Sequence, residues 1–584
     1  MATKYDQHPT IKLGSDTQIH ESASAWALIA KTAQERSSHP VVVIDCYPGV
    51  NVPDMIDAAR AHLEGWEIIN VESRAARSQA ERDALISRSL TADRVFGIMS
   101  HFDVMDFYNP QELLAISSQI RHLAKPTLLV GWGAALVEIT DAVVVLADMA
   151  RWEIQQRQRA GATNWLVDNS LEDPLRKFKR GYFVEWRMAD RHKKALFGTL
   201  DFLLDTNHGL DYLKLITGEG FRSGLDIAAH RPFRVVPFFD PGVWGGQWMK
   251  EHLHLDPAQA NYAWCFDCVP EENSLLFEAQ GLVMEIPSID LVLWHPRSLL
   301  GEKTFARFGA EFPIRFDFLD TMGGGNLSLQ VHPLTEYIKD QFGMAYTQDE
   351  SYYLLDCSDD AIVYLGLKSG VDREEMVRDL RDAASGGAPF PADRYVNSFP
   401  AQKHDHFSIP AGTVHCSGAN SMVLEISATP YIFTFKLWDW GRVGMDGVPR
   451  PIHLDHGMAN IQWDRDTEWV ERELLGQVEL LSNSNGVREE RTGLHGLEFI
   501  ETRRRWFSHS ASHDTCGTVN VLNLVEGDEV EVVSPTQAFP PFVVHYAETF
   551  IVPASVGPYV VRKTSDSTSD RFATIEASVR GTRI

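Results

Sequence analysis

Along the first third of the chain, apolar residues fall in short unbroken runs. Val41-Val-Val-Ile-Asp45 ends in an acid and leads into Tyr47-Pro48-Gly49, the pattern of a strand buried on both faces that feeds a turn. Similar runs lie at Arg94–Met99, Thr127–Val130 and Ala142–Ala147. Helical spacing covers 24–37, Pro53–Leu63, 78–90, 110–124 and 148–160. Strands that alternate with helices predict an α/β domain on a parallel sheet over residues 1–225.

From about residue 230 the texture changes. Short alternating segments separated by Gly and Pro turns predict all-β sandwiches or barrels, with one helical insert at Asp372–Ala384. Loops are expected at 384–391, at Ser482-Asn-Ser-Asn-Gly486 and at Thr564–Asp570. The expected organisation is an α/β domain over 1–225, a β domain with the helical insert over 226–465, and a further β-rich domain over 466–584.

Length and charge narrow the picture. At 584 residues the chain is too long for one core. The formal net charge of −26 disfavours nucleic acid and anionic membrane as partners. No apolar run approaches the ~20 residues of a membrane helix, and the polar Met1–Ser15 segment lacks the apolar stretch of a signal peptide, so a cytoplasmic location is expected. Six cysteines, of which only Cys265 and Cys268 are close, fit a reducing compartment; without two further ligands this pair reads as ordinary thiols.

The chemistry concentrates in Asn326-Leu-Ser-Leu-Gln-Val-His-Pro333. As a strand, this segment puts Ser328, Gln330 and His332 on one face and Leu329 and Val331 on the other. A pocket wall and a solvated strand face both satisfy that pattern. Downstream, Glu350 opens a second strand and His415 follows a Pro-Ala-Gly turn. Two histidines and a carboxylate, with Gln330 as a further donor, suit a divalent metal such as zinc. His404 and His406 form a His-x-His pair that reads as an exposed turn, His453 reads as a packing or capping residue, and Asp439 as either a structural hydrogen-bonding group or a catalytic one.

Leu327-Ser-Leu-Gln-Val-His-Pro333, Glu350-Ser-Tyr-Tyr-Leu-Leu-Asp356, Ile409-Pro-Ala-Gly-Thr-Val-His415, Met422-Val-Leu-Glu-Ile426, Trp438-Asp-Trp-Gly-Arg442 and Arg450-Pro-Ile-His453 follow in order. In this the region from about 230 to 580 resembles class I mannose-6-phosphate isomerase, a zinc cupin, and Val243-Trp-Gly-Gly246 is similar to that family's opening motif. The resemblance implies jelly-roll domains, metal ligands at Gln330, His332, Glu350 and His415, and proton transfer by Glu425. It implies a phosphate or sugar contact at Ser328 and cleft cations at Lys436 and Arg442. The implied reaction is zinc-dependent aldose–ketose isomerisation of mannose 6-phosphate and fructose 6-phosphate through a cis-enediol.

Two positions depart from the family. Gln348 stands where members carry lysine, and it has neither charge nor a transferable proton at neutral pH. Lys436 stands where members carry arginine, which keeps the charge but loses the planar fork. The altered residues point toward a non-catalytic or altered-specificity sugar-phosphate-binding cupin; the complete metal set and Glu425 point toward an enzyme.

In the first domain, Val41–Pro53 resembles the first strand and loop of P-loop kinases. Leu128-Leu-Val130, Asp141–Leu146 and Arg151–Arg159 resemble a later strand and a lid helix, and Lys179–Arg187 adds basic residues. Asn51, Val52 and Pro53 replace the Gly-Lys-Ser/Thr that would cradle phosphates. The expectation is a degenerate kinase-like domain with a structural or regulatory role, so that a bifunctional kinase–isomerase is the least favoured reading.

Overall fold

The computed structural model describes residues 4–123, 125–445, 447 and 449–581. The expected helix end at residue 124 and the outermost domain ends lie outside these residues. The chain forms two compact units. One comprises Thr10–Ala228 and Pro270–His295, and the other Met1–Pro9, Ala229–Val269 and Pro296–Ile584.

The first unit is built on strands β1 (Thr10–Lys12), β2 (Ile19–Glu21), β3 (Val41–Cys46), β4 (Glu67–Asn70), β5 (Thr127–Gly131), β6 (Val143–Asp148), β7 (Phe202–Asp205) and β8 (Lys214–Thr217). The main sheet runs β2-β8-β7-β6-β3-β5-β4. Strands β3 to β7 are parallel, while β8 and β2 add an antiparallel edge. Every residue of β3 and β5 is buried, as their unbroken apolar runs require. The helix Val52–His62 follows β3. Asn51 caps it by accepting from the Asp54 amide, and Pro53 occupies its first turn, where no N–H is needed.

One expected strand is absent. Arg94–Met99 is apolar but irregular, because its backbone is claimed elsewhere: Ile98 N–H donates to the Ser89 carbonyl and Ser100 N–H to the Phe183 carbonyl. The short strands β4, β7 and β8 carry too little pattern to be seen in advance.

Strands β9 (Phe238–Asp240) and β10 (Trp264–Cys268) begin the second unit, after which the chain returns to the first as the hairpin β11 (Ser274–Ala279) and β12 (Leu282–Pro287). This segment was expected inside the 226–465 domain. It belongs to the α/β unit because β1 pairs in parallel with β11, a contact between residues far apart in sequence.

The second unit continues with β13 (Ile314–Asp320), β14 (Leu329–Val331), β15 (Glu350–Cys357), β16 (Ile362–Leu367), β17 (Val396–Pro400), β18 (His406–Ile409), β19 (His415–Ser417), β20 (Ser421–Ala428) and β21 (Phe435–Trp438). They form two sheets, β18-β15-β20-β13-β10-β9 and β17-β16-β19-β14-β21. The helix Arg373–Ala384 interrupts the second. Asp372 caps it by accepting from the Glu375 amide, and Met376, Leu380 and Ala383 form its buried stripe.

A second pair of sheets follows: β22 (Glu479–Ser484), β23 (Val487–Thr492), β24 (Ile500–Phe507), β25 (Ser510–Asp514), β26 (Asn520–Glu526), β27 (Glu529–Val533), β28 (Phe542–His545), β29 (Thr549–Val552), β30 (Pro558–Lys563) and β31 (Phe572–Val579). Their orders are β22-β23-β24-β31-β26-β29 and β25-β30-β27-β28, around a core that includes Phe507, Leu522, Val532, Phe550 and Phe572. The loop expected at 482–486 is instead the tip of the β22–β23 hairpin. Asn485 and Gly486 both take positive φ there, the two-residue turn that matches strand twist.

Candidate metal centre

Three strands of the first sandwich bring the predicted ligands together. Gln330 on β14 lies directly opposite His415 on β19, and Glu350 opens β15 in the facing sheet. One ligand atom each of His332, Glu350 and His415 falls within 4.8 Å of the others, and all three residues are buried. His332 Nε2 lies 3.0 Å from Glu350 Oε2, and His415 Nε2 lies 2.8 Å from Glu350 Oε1.

The outward nitrogens fix what the inward ones can do. His332 Nδ1 is 3.1 Å from the Phe433 carbonyl and His415 Nδ1 is 2.9 Å from the Thr413 carbonyl. A carbonyl only accepts, so each Nδ1 carries the proton, and in neutral imidazole each Nε2 then presents a lone pair. Two lone pairs therefore face a carboxylate that also only accepts. A divalent cation among them resolves this repulsion, and carbonyl-anchored histidines are the usual second layer of such a site. Gln330 adds a fourth donor, with its side-chain amide 3.3 Å from His415 Nε2. Ser328 Oγ donates to Gln330 Oε1 at 2.9 Å and the amide nitrogen is the atom facing His415; a metal would take the amide oxygen once the amide turns over, with Ser328 Oγ then accepting from its nitrogen. The donor set fits zinc.

Burial works against ionisation of Glu350, and only positive charge on the two imidazoles, or a cation bound between them, pulls its carboxyl well below the usual carboxylate range. Next to it, Gln348 Nε2 donates to Glu350 Oε2 at 3.0 Å and to Glu425 Oε1 at 3.3 Å. Glu425 lies opposite Asp317 on β13 and Tyr352 on β15. Arg315, absent from the sequence-based set, donates to Glu425 at 2.6 Å and contacts Asp317 at 3.1 Å. Burial, then the Asp317 and Glu350 carboxylates, push the Glu425 carboxyl well above its ordinary range, against the pull of Arg315. The available signal for Arg315 was the alternation in Ile314-Arg-Phe-Asp-Phe318, which sets Arg315 and Asp317 on one face.

Lys436 on β21 is the register partner of Gln330 and is half-buried. Directly opposed residues leave a sheet on the same face, so Lys436 shares the ligand face. Arg442 lies past the end of β21 in a separate cluster. It donates to Asp439 at 2.5 Å and to the Asn326 carbonyl at 2.7 Å, and Arg450 contacts the other Asp439 oxygen at 2.8 Å. Asp439 thus ties two arginines to the loop that precedes Ser328.

The histidine pair is not an exposed turn. His406 is buried on β18 with Nε2 2.8 Å from Ser351 Oγ, and His404 Nδ1 lies 2.8 Å from the Tyr353 hydroxyl. Burial, then Arg504, push His406 down to about 3. Pairing β18 with β15 draws the segment inward.

In the α/β unit, the strand ends are filled by the protein's own side chains. Asp45 accepts from Ala135 N–H at 2.8 Å and lies 2.9 Å from His192 Nε2. Tyr47 donates to Asp190 at 2.8 Å, Arg151 pairs with Asp190, and Lys193 sits between Asp148 at 3.1 Å and Asp290 at 2.7 Å. The basic segment is engaged too: Lys179 donates to the Asp93 carbonyl, and Arg180 pairs with Glu185 at 2.7 Å. Among the described residues, no helix is long and apolar enough to cross a membrane.

Residues 25–230 match a family model described only as a domain of unknown function, DUF8485. The chain is 26% identical to mannose-6-phosphate isomerase ManA of Bacillus subtilis over 233 residues, covering 40% of this chain and 68% of the relative. It is 24% identical to the mannose-6-phosphate isomerase of Streptococcus mutans over 218 residues, 37% of this chain and 63% of that one. Among solved structures, a mannose 6-phosphate isomerase from Bacillus subtilis aligns with TM-score 0.48 at 17% identity, over 60% of this chain and 99% of the other. A phosphomannose isomerase variant from Salmonella typhimurium aligns with TM-score 0.44 at 14% identity, over 60% and 99%. Part of the chain is therefore similar to curated mannose-6-phosphate isomerases, and the α/β unit carries a domain match that names no activity.

Proposed function

We propose that the protein is a zinc-dependent aldose–ketose isomerase acting on mannose 6-phosphate and fructose 6-phosphate through a cis-enediol. The observation that carries this reading is the convergence of His332, Glu350 and His415 with Gln330, one hydrogen-bonded residue away from Glu425. Similarity to curated isomerases over 40% of the chain supports it.

Gln330, His332, Glu350 and His415 would hold zinc, which as a Lewis acid stabilises negative charge on the sugar oxygens at C1 and C2. Glu425 moves the proton. As carboxylate it removes the hydrogen from the carbon beside the carbonyl, and as acid it returns it to the neighbouring carbon, while the hydroxyl proton passes between the two oxygens so that the carbonyl moves from C1 to C2. The upward shift of its carboxyl favours the acid half of that exchange. Arg315 and Gln348 both hold Oε1 of Glu425, so the carboxylate keeps one orientation through the transfer. Lys436, Ser328 and Arg442 contribute to binding the phosphorylated end, where binding energy away from the reacting carbons orients the sugar. The α/β unit takes a structural or regulatory role, since its own residues occupy the ends of β3 and β6. Glu425→Gln tests the assignment: zinc content is retained while interconversion of the two sugar phosphates is lost, and a variant that keeps wild-type turnover removes Glu425 from the mechanism.

A further inference from the structure

Gln348 is buried, with 2% of its surface exposed. Both groups that its side-chain nitrogen meets are carboxylate oxygens, Glu350 Oε2 and Glu425 Oε1. Glu350, the nearer of the two at 3.0 Å, is a carboxylate that only accepts, so it fixes the amide: nitrogen toward the acids, oxygen turned away from them. Among the described residues, nothing donates to that oxygen. A buried acceptor without a donor is costly, and such an atom beside the metal ligands is satisfied by a ligand that supplies the hydrogen. The two acids hold the amide in place, and Arg315 in turn holds Glu425. The oxygen is therefore a fixed acceptor within one residue of the metal ligands.

From this we infer that Gln348 is a specificity-determining residue whose Oε1 accepts a hydrogen bond from a neutral sugar hydroxyl. This inference rests on the isomerase reading, and it deepens that reading by stating what the altered position recognises. An acceptor has no attraction for a phosphate oxygen, which is itself an acceptor at neutral pH, so Gln348 selects the polyol part of the substrate and leaves the anion to Lys436 and the arginine cluster. The hydroxyls at C1 and C2 take part in the reaction, so those at C3 and C4 are the ones to test.

The test is a cycle between residue and ligand. Zinc-loaded full-length protein and its Gln348→Met variant, which keeps the volume and removes the acceptor, are titrated calorimetrically with mannose 6-phosphate and with its 3-deoxy and 4-deoxy analogues. Wild type is expected to bind one deoxy analogue about threefold to tenfold more weakly than the parent, the range of a single neutral hydrogen bond. The variant should lose that penalty for the same analogue and keep its response to the other. Metal content and unfolding midpoint, measured alongside, separate this from a merely structural effect. Equal penalties in both proteins overturn the inference while leaving the isomerase reading intact. Binding that shows the expected pattern without any turnover overturns the isomerase reading alone, and absence of sugar-phosphate binding to wild type overturns both.

Discussion

Arg315 donates to Glu425 at 2.6 Å inside the first sandwich, where both side chains are almost completely buried. The pair stands on neighbouring strands β13 and β20, and Asp317 is the second carboxylate on the same guanidinium. Three buried groups of alternating charge compensate one another, so removing the single cation leaves two unpaired acids in a low-dielectric interior. Arg315→Met is expected to destabilise the protein by about 3–5 kcal/mol in denaturant unfolding. A loss below about 1 kcal/mol would mean that the two carboxyls are protonated and need no partner.

The metal site predicts a coupled loss. His332→Ala and His415→Ala each remove one nitrogen from a four-donor set, and bound zinc measured by mass spectrometry on purified protein should fall to near background in both. Ser328→Ala, which removes the hydroxyl bonded to Gln330, should weaken zinc by about 10–100-fold, the range for loss of an outer partner. Full zinc retention in His332→Ala would remove that residue from the ligand set.

His406 gives a pH signature. Its ring is held by Ser351 Oγ, stacks edge-on against Tyr353 and lies near Arg504, and it packs directly on Gly493. In the unfolded chain it takes a proton near pH 6.5, whereas in the folded protein it does so only at about 3. Between these values the unfolded state binds more protons, so stability falls as pH drops, by up to about 1.4 kcal/mol per pH unit from this group. His406→Gln should flatten the stability curve between pH 6.5 and 3 relative to wild type; parallel curves would contradict the assignment. Gly493→Ala should destabilise at every pH, because a Cβ there would come within 2.0 Å of the His406 ring.

The α/β unit yields a negative expectation that calorimetry can check. Tyr47 donates to Asp190, and the Lys193 ammonium lies 4.3 Å from the centre of the Tyr47 ring, so the turn after β3 is filled by tyrosine and lysine side chains. Full-length protein titrated with Mg-ATP should show no saturable binding at micromolar nucleotide. Micromolar affinity would give this unit a nucleotide-linked role.

The metal constellation was legible because a strand's period of two puts Ser328, Gln330 and His332 on one face whatever the tertiary context. The buried apolar runs of β3, β5 and β6 were legible for the same reason of local pattern. Arg315 was not, since a charged residue alternating with apolar ones describes an outward-facing position equally well. His406 was misplaced because its burial depends on β18 pairing with β15, which lies some fifty residues earlier. The return of Pro270–His295 to the α/β unit depends likewise on pairing with β1 and leaves no local trace. What sequence pattern misses here is long-range pairing, which decides which face becomes an interior.

Zinc-dependent isomerisation at Gln330, His332, Glu350 and His415 can be tested on the intact protein. The most direct measurement is a coupled assay for fructose 6-phosphate formed from mannose 6-phosphate by purified full-length protein, before chelation, after chelation and after zinc is restored. Turnover is expected that chelation abolishes and zinc recovers. Folded protein with zinc bound and no fructose 6-phosphate formed would contradict it, and would favour a sugar-phosphate-binding role for the same site.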